Sequence, residues 1–393
     1  MKRSRRRSRI QSALIGLGAI ALFVPGLLTN VFGDGVGNWD PTSPAPRLEL
    51  ADWFGGDFQM DADAWFRERF GLRFLFVRLD NQLRWSFFSE MRGEGLVELV
   101  MGQDGHLIQW LYIDRYCGLI ETADAERLSE LATDLRRLQD ALAARGIAFI
   151  FVISPNKVSV LPESMPDDGC PPHALHGPEY ALAMPIIREA GIHHVDNFVA
   201  ARRALGLHPE AGLFPRGASH WNRLAAFYGA EAILEKIDEL VEQDVPGIRL
   251  DSYEVHNRPE GDDLDLARNM NLLWIEDDYV TAEPKISSMG EIERPLRVVA
   301  VGGSFMMLPL EIIAKTRNFE QIDYYFYYYQ AFVDYLKGTY HTVRRAVDTD
   351  AIDWQGDIFQ ADVIILEANM ADFFPAHMEP FTKAIFEALA EAG

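Results

Sequence analysis

At 393 residues the chain can hold one large α/β domain or two smaller ones, and its composition, 48% apolar and 24% charged, is that of a folded body. Six of the 37 basic residues (Lys2, Arg3, Arg5, Arg6, Arg7 and Arg9) cluster at the N-terminus, leaving 31 basic against 59 acidic residues, a formal −28, on the remainder. A surface of that sign repels polyanions and argues against nucleic acid as a partner.

Residues 1–9 read as a basic cytoplasmic segment and 10–33 as a transmembrane anchor. No charge occurs from Ile10 to Gly33, and Ala13–Leu28 is almost continuously apolar. This approaches the ~20 residues that a helix needs to cross a bilayer, and the basic flank keeps the N-terminus inside. A cleaved signal peptide is the rival reading, although no small-x-small site follows Leu28, where Thr29-Asn30-Val31-Phe32 stand. Both readings export the rest of the chain. Cys117 and Cys170, the only cysteines, could pair there, but spacing alone does not bring their Cα atoms together. Two cysteines do not make a Cys-rich zinc site.

Gly33–Pro46 is rich in Gly, Pro, Asn and Asp, so residues 34–60 are expected as a linker and 61–393 as the body. Helical spacing of Trp65, Phe66, Phe70, Leu75 and Leu79 predicts a helix over 61–88. A second is predicted over 123–145, with Thr122 as N-cap and Gly146 closing it. Short apolar runs at 147–153, 193–195, 296–301 and 362–367 read as strands. Between them, 222–240 reads as a helix capped by Asn222, and 379–392 as a final helix. Apolar strands alternating with helices predict a mainly parallel sheet covered on both faces, with the site beyond the carboxyl ends of the strands.

The run from Leu296 to Val301 leads into Gly302-Gly303-Ser304-Phe305. Two glycines permit a sharp turn and leave a serine exposed with a backbone N–H free for an oxyanion. Taken alone, this reads more readily as a turn that ends a strand. His220, in Gly217-Ala218-Ser219-His220-Trp221-Asn222, stands on a loop before a helix, and a neutral imidazole is what makes a serine nucleophilic. Ser304 as nucleophile and His220 as base form the candidate pair. Gly303, Asn156 and Lys157 are candidate oxyanion or substrate contacts, with a plain polar loop as the alternative for the last two. Tyr324–Tyr329 could stack on a sugar, but a buried aromatic strand accounts for it better. Glu260, Asp262, Asp263 and Asp265 lack the spacing of a calcium loop. On a strand, His193 and His194 would point to opposite faces. No metal site or cofactor is expected.

In their shared order these residues resemble the alginate O-acetyltransferase group of SGNH-hydrolase-like proteins, the AlgJ, AlgV and AlgX kind. Phe66–Arg73 looks like that family's F-x-D-x-F-G-x-R helix, and Met101–Leu107 like its G-x-D-G-W-L segment. Pro155-Asn156-Lys157, Leu161-Pro162-Glu163, His220-Trp221, the Ser304 turn and Val363–Asn369 follow. The resemblance implies a three-layer SGNH-like α/β domain behind the anchor, with an acyl-serine that passes acetyl to a polysaccharide. It also implies a membrane-bound O-acyltransferase as donor and, with no carbohydrate-binding module expected after the body, the AlgJ type. The expected location is the inner membrane, with the body in the periplasm or extracellular space.

Two departures stand out. The family's Asp-x-His has Ala218 in place of the acid, and Gly303 precedes Ser304 where many members carry an acidic or polar residue. Ser219, a backbone carbonyl or a carboxylate from elsewhere could orient His220 instead. A non-catalytic scaffold and an acetylesterase are therefore the competing expectations.

Overall fold

The computed structural model describes residues 45–69, 73–91, 98–170, 177–333, 343–346, 348 and 351–391. The basic segment and the expected anchor at 10–33 lie outside these residues, and no described helix is long and apolar enough to cross a membrane. The chain forms two compact units, residues 1–94 with 270–275 and residues 95–269 with 276–393.

In the first unit, residues 50–60, expected as the end of a linker, are helical: Leu50–Gly55 is followed by Asp57–Arg69. The single helix expected over 61–88 is found as the second of these and Arg73–Phe88, with 70–72 outside the described residues. Arg78 and Asn81 tie the last helix to Asn271 and Met270 through side-chain hydrogen bonds of 2.9 and 3.1 Å.

Among the described residues, the second unit holds eleven strands. β1 (Leu99–Met101) and β2 (Leu107–Gln109) form a small antiparallel ribbon. β3 (Ala148–Ser154) and β4 (His194–Asp196) belong to the main sheet, whereas β5 (Ile248–His256) and β6 (Thr281–Ser288) pair into an antiparallel arm. β7 (Leu296–Gly302), β8 (Phe319–Phe326), β9 (Gln330–Val333), β10 (Val343–Ala346) and β11 (Val363–Asn369) complete the main sheet. Its order is β10-β9-β8-β7-β11-β3-β4.

From β8 to β4 all neighbours are parallel, and β9 and β10 extend that edge antiparallel. The sheet is thus mixed, with the expected parallel part running from β8 to the β4 edge. Successive residues of β3, β7 and β11 are almost all buried, and because alternate side chains point to opposite faces, both faces are covered. The register sets Gly302 beside Phe326 and Asn369 beside Ser154, so the carboxyl ends of four parallel strands form one rim.

Local chemistry sets the helix ends. The helix expected over 123–145 is Ala125–Ala143, capped by Asp124 rather than Thr122, because Asp124 Oδ1 accepts the Arg127 N–H at 2.9 Å. Asn222 caps Arg223–Leu240 by accepting the Ala225 N–H at 3.0 Å. Cys117 and Cys170 form a disulfide with their Cα atoms 5.7 Å apart.

Candidate active site

Ser304 opens a short turn, Ser304–Met306, between β7 and the helix Met307–Ala314. The two glycines before it serve space rather than backbone freedom, since Gly303 has φ −96° and Gly302 is not in the left-handed region. A Cβ on Gly302 would lie 2.8 Å from Glu367 Cβ, and one on Gly303 would lie 3.0 Å from the Tyr327 ring. The turn is fastened on both sides of Gly303: its N–H donates to Glu367 Oε2 at 2.7 Å, and its carbonyl accepts from Tyr324 Oη.

His220 comes from the loop before Arg223–Leu240, and its ring packs against Phe305 with centroids 4.6 Å apart. His220 Nε2 lies 2.6 Å from Ser304 Oγ, and Nδ1 lies 2.7 Å from Asp265 Oδ2. A carboxylate only accepts, so Nδ1 carries the proton and Nε2 is left to accept from the serine hydroxyl. The His220 and Asp265 side chains keep 19% and 24% exposure, so the relay is open to an entering substrate.

Asp265 replaces the carboxylate missing at position 218. It stands 45 residues after His220, at the start of the helix Asp265–Asn269 within the long excursion between β5 and β6. Backbone pairing docks that excursion on the histidine loop. Asp265 Oδ1 accepts the Ser219 N–H at 2.7 Å, and Ala267 N–H donates to Gly217 O at 2.9 Å. Gly217 is glycine because a Cβ would overlap Tyr279 Oη at 1.8 Å.

β2 holds the other side of the loop. Leu107 N–H donates to Arg216 O at 2.8 Å, and Ser219 Oγ donates to Gln109 Oε1 at 2.8 Å. Burial, then Tyr327, Glu367 and Asp265 nearby, pushes the Tyr112 phenol well above the ordinary tyrosine range, with the Ser219 side chain opposing. The Gly102-Gln103-Asp104-Gly105 stretch makes the ribbon possible, with Asp104 and Gly105 left-handed at φ 52° and 79° in its turn.

Ser304 and His220 therefore meet, whereas the donors of Gly303 and Lys157 are taken by other partners and the Asn156 amide faces Asn369. The Gly303 N–H is taken by Glu367. Asn156 caps the short helix Lys157–Val160, its Oδ1 accepting from Ser159 N–H at 3.0 Å, and its amide lies 3.4 Å from Asn369 Oδ1. Lys157 is buried, and its ammonium donates to the carbonyls of Leu107, Pro215 and Arg216 at 3.0, 2.9 and 3.3 Å. Those three bonds use its whole donor set.

Asp265, Glu367 and Tyr327 were not singled out from sequence as parts of this site. In sequence Asp265 reads only as a candidate cation ligand among its acidic neighbours, and the one local signal for its role is an acid at the start of a helix. In the aromatic run, Tyr324, Tyr325 and Phe326 belong to β8, while Tyr327 and Tyr328 turn at φ 47° and 61° and Tyr329 is 53% exposed.

The profile of the family described as SGNH hydrolase-like domain, acetyltransferase AlgX, matches residues 99–284, which include His220 and Asp265 and end before Ser304. No curated protein matches the chain in sequence. Among solved structures it is similar to the O-acetyltransferase domain of Pseudomonas putida AlgJ, at 18% identity and TM-score 0.47, covering 73% of this chain and 99% of that one. It is also similar to Pseudomonas aeruginosa AlgX, at 15% identity and TM-score 0.41, covering 73% and 66% of the two chains. A third similarity is to Bacillus cereus PatB1, at 10% identity and TM-score 0.41, covering 70% and 99%.

Proposed function

We propose that the chain is an O-acetyltransferase that acts on an exopolysaccharide or cell-surface glycan through an acyl-serine intermediate, a reading supported by the match of residues 99–284 to the family described as SGNH hydrolase-like domain, acetyltransferase AlgX. The observation that carries this reading is the Ser304–His220–Asp265 relay, with contacts of 2.6 and 2.7 Å.

His220 Nε2 takes the hydroxyl proton as Ser304 Oγ bonds to the acetyl carbon and the carbonyl electron pair moves onto oxygen. Collapse of that adduct breaks the bond to the donor group, which leaves with the proton from the imidazolium. A glycan hydroxyl then gives its proton to His220 and attacks the acyl carbon. The Ser304 ester bond breaks, and the serine recovers the proton. Asp265 holds the imidazole in the required tautomer and stabilises its charged form, and Ser304 N–H serves the oxyanion.

The scaffold reading was motivated by the acid missing at 218, and Asp265 removes that motive. The N-terminal sequence supports a signal anchor at 10–33 in the inner membrane with the body in the periplasm or outside, and the resemblance to the alginate O-acetyltransferase group supports a membrane-bound O-acyltransferase as acetyl donor.

The test offers the full-length protein an activated acetyl ester and an oligosaccharide acceptor, and reads ester on the sugar by mass spectrometry. Wild type forms the sugar ester and Ser304→Ala forms none. A serine-directed phosphonate labels Ser304 in wild type and not in His220→Ala. Transfer that survives in Ser304→Ala would sink the proposal, and acetate released with no sugar ester would make the chain an esterase.

A further inference from the structure

The relay accounts for the attacking oxygen and its proton, but a tetrahedral adduct also places a negative oxygen beside the turn, where one N–H is rarely enough. The neighbouring Gly303 N–H is held at 2.7 Å by Glu367, and Asn156 is buried with its amide turned to Asn369 Oδ1 at 3.4 Å. What faces the Ser304 N–H is the phenol of Tyr327, with N and Oη 3.4 Å apart.

The geometry points to Tyr327 as the second oxyanion donor of the acyl-serine reaction, an inference that rests on the function proposed above. At 3.4 Å the resting contact is long, with the phenol as acceptor. Two donors at that separation share positions about 2.9 Å from both, the hydrogen-bonding distance an oxyanion requires. As the carbonyl oxygen enters, Ser304 N–H turns from the phenol to it and the Tyr327 O–H rotates to donate. The Ser304 Oγ–carbon bond forms, the carbonyl pair moves onto that oxygen, and the serine proton goes to His220 Nε2. The phenol keeps its own proton throughout.

The local backbone is built around this ring. Tyr327 and Tyr328 are non-glycine residues in the left-handed region, side by side in a turn that ordinarily takes Asn-Gly. Such conformations are strained for residues with a side chain and persist where the surroundings over-determine them. Here Tyr327 N–H donates to Gly302 O at 2.8 Å, and the ring stacks parallel to Tyr329 with centroids 6.1 Å apart. The bare α-carbon of Gly303 leaves room on its other side, since a Cβ would meet the phenol oxygen at 3.1 Å. The ring is half-buried, so an entering acetyl group can reach it.

The experiment compares the pre-steady-state acetylation of full-length wild type and Tyr327→Phe by 4-nitrophenyl acetate, together with thermal unfolding. Expected for Tyr327→Phe is an acylation rate lower by about 100-fold, with KM within about twofold of wild type and Tm unchanged. Inhibition by a boronic acid that forms a tetrahedral adduct on Ser304 should weaken by a similar factor, which a loosened turn that left the hydroxyl uninvolved would not produce. An acylation rate within about threefold of wild type, or a loss confined to KM, overturns the role of Tyr327 alone. Failure of wild type to acylate at Ser304 overturns the acyl-serine reading and this inference with it.

Discussion

Ala218 is fully buried, and the residue that faces the imidazole in its stead, Asp265, arrives from another part of the chain. Its role predicts a specific loss. Asp265→Asn keeps the shape but allows the amide to donate toward Nδ1, which favours the wrong tautomer, so kcat should fall by about 10⁴-fold with KM little changed. Steady-state kinetics on the activated ester check this, and retention of wild-type kcat would assign the orienting task elsewhere. At this scale Ser304 and His220 were legible because each needs only a local signal, a turn after a buried run and a polar loop before a helix. Asp265 was not legible, since no spacing rule relates residues brought together by docking of a long excursion. Asn156 and Lys157 were legible as strand-end polar residues, but sequence could not say that their atoms were already committed to a cap and to three carbonyls.

Lys157 joins two elements, β2 and the histidine loop, through its three acceptors. Burial pulls its pKa down from 10.5 to about 7, with the Asp265 charge opposing weakly. Between about 7 and 10.5 the unfolded chain therefore binds more protons at this group than the folded one, and by linkage its contribution to stability rises with pH across that window. Denaturant unfolding of wild type and Lys157→Met at pH 6 and pH 9 should show wild type gaining on the variant by on the order of 2 kcal/mol at the higher pH. A flat difference would mean that the three carbonyls hold the ammonium charged throughout. Most strands and helices were legible from periodicity, because β3, β7 and β11 are continuous apolar runs. The cap expected at Thr122 falls at Asp124, because only the path of the chain decides which side chain reaches the free N–H of Arg127.

For the whole molecule, the parallel core was legible from alternating elements, whereas the antiparallel edge of β9 and β10 was not, because a Tyr-Tyr turn carries no Asn-Gly signature. The disulfide was open from sequence and is settled by a Cα separation of 5.7 Å. It closes a span of 53 residues, for which the chain-entropy estimate is about 4 kcal/mol. Replacing both cysteines by serine should lower Tm by several degrees, with wild type under reducing conditions falling to the same value in calorimetry. Equal Tm with and without reductant would place the bridge outside the cooperative unit. The arrival of Asp265 from the β5–β6 excursion has one more consequence, for how such chains are sorted. A pattern search that demands an acid two positions before the histidine would file this protein with inactive relatives, although its relay is geometrically whole. The better criterion for a chain lacking that tripeptide is whether an acidic residue opens the short helix carried by the arm.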